Sequence, residues 1–312
     1  MAIAPLYQVP ATSASASPRE VELDRPYYQA TMRHLILRQP FWAFMIAAYG
    51  FSWTFWLLSF QVSGSPSVFL FHLAGFGPLI AAMVVVRDQG RSLRAWLVGL
   101  FKWRLHPGWY GFALGWPILL AAIASLGYRL LGYSLDFSLL PGRLGIYLPS
   151  LLLLAIAGGG NEEPGWRGLG LPVLQQRHRP IVATTVLGIV WALWHLPLLA
   201  VNPDVASGAI GPGQILFITT TTLISITTHA FWYTWLINRT GSVLLCILLH
   251  ASYNAANGLL ILIPDEALRG SSYQVLLILM TAVLIASVVG LLIHTKGRLG
   301  LSQAGILPAR GR

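Results

Sequence analysis

GIYLPSLLLLAIAGGGNEEPGWRG, residues 145–168, begins as an apolar run and ends in two adjacent carboxylates, a Pro-Gly step and an arginine. Charge at the margin of a long apolar run is costly unless it is paired, so these groups require partners. Two later apolar runs offer them: WALWH, ending at His195, and HASYN, running from His250 to Asn254.

The composition around these places sets the class. Of 312 residues, 55% are hydrophobic and only 10% are charged, with a mean hydropathy of +0.66. That exceeds the apolar content of an ordinary soluble chain and points to the bilayer. A net charge of +10 would suit a nucleic-acid surface if Lys and Arg clustered on one soluble face. Instead they fall mostly between apolar runs, which argues against nucleic acid as a partner and makes the charge a signal of topology. The single cysteine, Cys246, excludes an internal disulfide and reads as packing on the face that carries His250.

Candidate spans are about 41–60, 67–86, 109–128, 145–160, 181–200, 215–237, 241–263 and 272–294. Most are long enough to cross a hydrocarbon layer about 30 Å thick as helices. The run at 145–160 is short, and gains length from NEEPGW if Pro164 and Gly165 only break or kink it. With the N-terminus in the cytoplasm, the inside segments carry 17 of the 20 Lys and Arg, and the outside segments carry only Arg129, Arg143 and Arg269. This is the bias of the positive-inside rule. The expected architecture is therefore an all-α, polytopic membrane protein with about eight transmembrane helices and both termini cytoplasmic. Residues 1–39 read as a disordered cytoplasmic tail without a removable signal peptide, 40–296 as the membrane domain and 297–312 as a short basic cytoplasmic tail.

Within the membrane domain, Glu163 and Arg167 are spaced to pair on one helix face. The spacing leaves Glu162 pointing elsewhere, which makes it the candidate general base, with Glu163 as the orienting partner of Arg167. Pro164 is compatible with this if it opens a new helical turn. His195 and His250 fall well inside their spans, and His250 and Asn254 share a helix face from which two donors could reach one oxyanion. His229 is a further candidate, although the hydroxyl-rich run Thr219 to Thr228 offers it a structural network. His72 is assigned to structure, and His34, His106, His178 and His294 to interfacial or exposed positions. For Gly158, Gly159 and Gly160, helix packing is preferred to close backbone approach.

These motifs, in this order, resemble the CAAX protease and bacteriocin-processing family of intramembrane proteases, also called the ABI family, which includes the type II CAAX prenyl endopeptidases. The family pattern EExxxR resembles Glu162, Glu163 and Arg167. An aromatic residue four positions before a histidine resembles Trp191 and His195, and HxxxN resembles His250 and Asn254. GFGPLIAAMVV at 75–85 and RTGSVLLCILLH before the third motif also look typical. The resemblance implies an intramembrane endopeptidase with a membrane-embedded, cytoplasm-facing site in the cell membrane of a prokaryote. Glu162 and His195 would activate water, His250 and Asn254 would stabilise the oxyanion, and Glu163, Arg167 and Trp191 would support them. The substrate would be a lipidated or membrane-adjacent protein or peptide. No cofactor is required by this chemistry, and Zn²⁺ held by Glu and His is the alternative. A transporter or a non-catalytic scaffold with a polar intramembrane site is the competing class.

Overall fold

The computed structural model describes residues 38–200, 205, 208, 210–263 and 271–301. The tail expected over 1–39 therefore lies almost wholly outside the described residues, as does most of 297–312. The described chain is helical: α1 (Pro40–Ser59), α2 (Ser65–Ala74), α3 (Gly77–Asp88), α4 (Leu93–Leu100), α5 (Pro107–Leu130), α6 (Leu140–Ala157), α7 (Pro180–Trp194), α8 (Pro212–Thr240), α9 (Val243–Leu259) and α10 (Ser271–Thr295). Between α6 and α7 the chain forms one broken helical passage: a 3₁₀ turn Gly160–Glu162, an α turn Glu163–Gly165, a π turn Trp166–Gly170 and a final α turn Leu171–Gln175.

Local sequence sets these boundaries. A proline occupies the first turn of α1, α2, α3, α6, α7 and α8, where its missing N–H costs no helical bond. Gly241 ends α8 in the left-handed conformation at φ 66° and returns its N–H to Ile237 O. Ser242 then caps α9 by accepting from Leu245 N. At the far end of the bundle, Asp136 accepts from the hydroxyl and the N–H of Ser138, and these bonds hold its carboxyl below the ordinary carboxylate range.

Among the described residues, six helices or helical passages are long and apolar enough to cross a bilayer, and seven if α2 and α3, bent by 48° at their junction, are one span. The difference from the expected eight lies in α9. Its 17 residues rise only about 26 Å, shorter than the other crossings. The 145–160 run gains its length as expected, because α6 and the broken passage together form one span. Large apolar side chains turned outward, such as Leu130 at 78% exposure and Ile293 at 73%, fit a lipid-facing surface.

The core is built by close helix contacts. α1 packs on α2 and α3, α7 on α8, and α9 between α5 and α6. Ser52 on α1 donates to Ala74 O, and a Cβ at Gly77 would meet Ser52 and the Ala48 carbonyl, so the bend between α2 and α3 sits directly on α1. Trp53 donates to Trp194 O at 3.0 Å and Tyr49 to Val190 O, tying α1 to the end of α7. In contrast, Leu151 is the one buried residue of α6.

Candidate active site

The broken passage is where the site is made. A Cβ at Gly165 would lie 2.5 Å from the Pro78 carbonyl carbon, so only glycine lets the passage cross the start of α3 so closely. Pro164 sits in the first turn of the short α segment, as its sequence suggested, and the π turn follows it. Such widened turns occur often at functional positions, and here the turn carries Trp166 and Arg167.

The two adjacent glutamates face different partners. Glu163 is fully buried and accepts from Arg167 at 2.9 Å and from His250 Nδ1 at 2.8 Å. The Arg167 guanidinium lies between two rings, 4.2 Å from the Trp191 centroid and 4.1 Å from that of Tyr233. A buried cation held by one carboxylate and two aromatic faces is a rigid support, in which removing either charge strands the other. Glu162 instead accepts two indole N–H bonds at one oxygen, Oε2, from Trp166 at 3.0 Å and Trp191 at 2.8 Å. Among the described residues nothing donates to its Oε1.

The histidines are oriented through one nitrogen each. His195 closes α7, and its Nδ1 lies 2.8 Å from Trp191 O. A carbonyl can only accept, so Nδ1 carries the proton and Nε2 of the neutral ring presents its lone pair. A carboxylate likewise accepts, which places a proton on His250 Nδ1 where it faces Glu163. Asn254, one turn beyond His250 on α9, donates from Nδ2 to Gly158 O at 2.8 Å and keeps a second amide N–H.

Glu162, His195, His250 and Asn254 line one cavity of about 350 Å³, together with Trp191. They come from three separate elements: the broken passage, the end of α7, and α9. His229 also lines the cavity. Among the described residues the hydroxyls offered by the sequence do not reach it: Thr221 and Thr228 bond to carbonyls of their own helix, while His229 Nε2 has no hydrogen-bond partner and its ring lies 3.9 Å from that of Tyr253.

Gly159 departs from the sequence reading, and three further residues add to it. Gly159 is not a packing glycine. It has φ +123°, and a Cβ there would meet His250 Nε2, His250 Cδ2 at 2.7 Å and Asn254 Nδ2 at 2.8 Å. His72, assigned to structure, is exposed on the cavity wall, with Nδ1 3.3 Å from Ala157 O. Asn161 was overlooked: it accepts from Gly159 N at 3.0 Å and donates to Gly75 O at 2.8 Å, pinning the glycine loop to the α2–α3 bend. Trp166 was also overlooked, although its spacing of four from Glu162 was a usable signal. Among the described residues, no three His, Cys, Asp or Glu side chains are grouped as a metal site.

The fold and this cluster define an integral, multi-pass membrane protein with a polar site enclosed by its helices. Residues 144–256, the segment holding the EExxxR, Trp191–His195 and HxxxN motifs, match the family described as type II CAAX prenyl endopeptidase Rce1-like. Over that segment the chain is similar to this Rce1-like CAAX protease family. It is 32% identical over 124 residues to CAAX prenyl protease 2 of Methanococcus maripaludis, a match covering 38% of this chain and 43% of that protein. The chain thus spans less than half the length of the relative it matches.

Proposed function

We propose that the protein is an intramembrane endopeptidase that hydrolyses a peptide bond in a lipidated or membrane-associated protein or peptide. The observation supporting this most directly is the meeting of Glu162, His195, His250 and Asn254 around one cavity. In this reading the chain crosses the membrane eight times, with α9 as the short crossing, and both termini lie on the basic, cytoplasmic side.

Glu162 and His195 hold a water between Oε1 and Nε2. As the water oxygen attacks the carbonyl carbon, its proton passes to Glu162, and the carbonyl π bond becomes an oxyanion. The second Asn254 amide N–H and Nε2–H of His250 donate to that oxyanion. His250 donates there when both ring nitrogens carry protons, and Glu163 balances the resulting charge. Glu162 then returns the proton to the departing amine as the C–N bond breaks, so no acyl-enzyme forms. Arg167 holds Glu163 in place, and Trp166 and Trp191 fix the other carboxylate. The name of the archaeal relative points to prenylated C-terminal tails as one substrate class to test.

The test is cleavage of lipidated and unlipidated peptides by purified protein, with Glu162→Gln as control. The glutamine carbonyl can still accept from both indoles, so the variant should fold and yet lose hydrolysis. Hydrolysis at the wild-type rate by Glu162→Gln refutes the assigned base. Activity abolished by a chelator and restored by Zn²⁺ alone would replace this mechanism with a metal-assisted one, and solute transport without cleavage would replace it with the transporter class.

A further inference from the structure

The bundle has two chemically different ends, and contacts fix which segments belong to each. At one end Lys102 donates to Thr240 O, Ser242 donates to Lys102 O, and Asn238 donates to Leu299 O. Trp96 reaches Gly168 O at this same end. At the other, Ser67 donates to Ser59 O, Arg143 to Ile261 O, and Asp136 N to Leu262 O. Of the described Lys and Arg other than the buried Arg167, 11 lie in segments of the first end and two, Arg129 and Arg143, in segments of the second.

The cavity lies towards the second end. Its wall includes Trp56, three residues from the end of α1, Phe71 and His72 on α2, and Leu198 beyond α7. No lining residue comes from α3, from the passage beyond Glu162, from the first turns of α7 or from the last turn of α8. Those parts form a packed floor instead, with Val85, Val86, Leu169, Leu171 and Ala183 all buried, closed from beside by Leu245 and Leu249 at the start of α9. Phe71, on the wall of the cavity, is 40% exposed.

We infer that this site is entered from the end of the bundle opposite the basic one, and that its substrate is a peptide tethered to the extracytoplasmic leaflet, with apolar residues beside the scissile bond. Eleven basic residues against two assign the first end to the cytoplasm. The packed floor separates the cavity from that side, so the cytoplasm-facing opening implied by the family resemblance is replaced by an outward one. Trp56, Phe71, Trp194 and Ile226 give the cavity an apolar lining, suited to a membrane-proximal peptide and unsuited to a charged one. The inference rests on the endopeptidase reading above, which detergent assays test without regard to sidedness.

The experiment is labelling of single introduced cysteines in intact cells with a membrane-impermeant maleimide, the native Cys246 being buried. Phe71→Cys and Leu131→Cys should label in intact cells, and Gln89→Cys only after permeabilisation. A reporter anchored with its peptide outside should be cleaved and its inward-facing counterpart spared, with neither cut by Glu162→Gln. Labelling of Phe71→Cys only after permeabilisation, or not at all, overturns the inference, as does preferential cleavage of the inward reporter. Labelling of Gln89→Cys in intact cells overturns it through the orientation, and Glu162-dependent cleavage in detergent would still stand.

Discussion

Gly159→Ala should separate catalytic geometry from folding more sharply than any substitution of a charged group. The new methyl would stand 2.7 Å from His250 Cδ2 and 2.8 Å from Asn254 Nδ2. Ordinary contact is about 3.5–4.0 Å, so these neighbours or the loop must retreat by about 1 Å. A displacement of about 1 Å in a reacting arrangement costs on the order of 10²-fold in rate, equivalent to roughly 2.7 kcal/mol of activation free energy. Separately, alanine at φ +123° strains the backbone by about 1–3 kcal/mol, which lowers stability. The assay pairs thermal unfolding of the detergent-solubilised protein with single-turnover cleavage of a peptide. Gly145→Ala on α6 is the control, since a Cβ there meets nothing within 4 Å. The expected result is a folded Gly159→Ala protein with the chemical step slowed about a hundredfold and Gly145→Ala close to wild type. A Gly159→Ala rate within about threefold of wild type would refute the placement of His250 and Asn254 against the reacting carbonyl.

Trp191→Phe and Trp166→Phe each remove one N–H from Glu162 Oε2, and a hydrogen bond to a charged group contributes about 1.5–3 kcal/mol. Each variant should lose about ten- to a hundredfold in kcat with a smaller change in KM, and an unchanged kcat for both would show that the indoles do not orient the base. Arg167→Ala leaves Glu163 buried without its guanidinium partner, a loss of about 3–5 kcal/mol that should appear first as reduced folded yield in size-exclusion chromatography. Full yield with normal unfolding temperature would contradict the support role.

The sequence disclosed those parts of the site that follow from helix periodicity. The i,i+4 spacing of Glu163 and Arg167 predicted their ion pair, and by default turned Glu162 away to another partner. His250 and Asn254 were placed on one face of α9 by the same rule. What stayed hidden depends on backbone irregularity. The π turn that brings Trp166 back to Glu162 has no signature in hydropathy, and a glycine triplet reads the same whether it packs or adopts positive φ. The place of His72 on the cavity wall was not legible because a lone polar residue in an apolar run does not reveal that the chain bends three to four residues later, at Gly75 and Phe76, opening a cavity beside it. The crossing number was harder still: α9 is short, α2 and α3 divide one span, and the passage after α6 extends another, so run length alone does not count them.

The thinness of α6 makes the surrounding lipid part of this machine. That helix hands the chain directly to Gly158 and Gly159, yet Leu151 alone is buried along it, while Leu148, Leu152 and Ile156 face outward. Acyl chains therefore press on one side of a single helix whose end holds the Asn254 contact and the glycine loop. That helix is braced by α9 on one side and faces lipid on the other, and accommodating a thickness mismatch costs fractions of a kcal/mol per ångström. If the protein is the endopeptidase proposed above, turnover in proteoliposomes should rise and fall with acyl-chain length through kcat at constant protein fold, the membrane acting as a mechanical regulator.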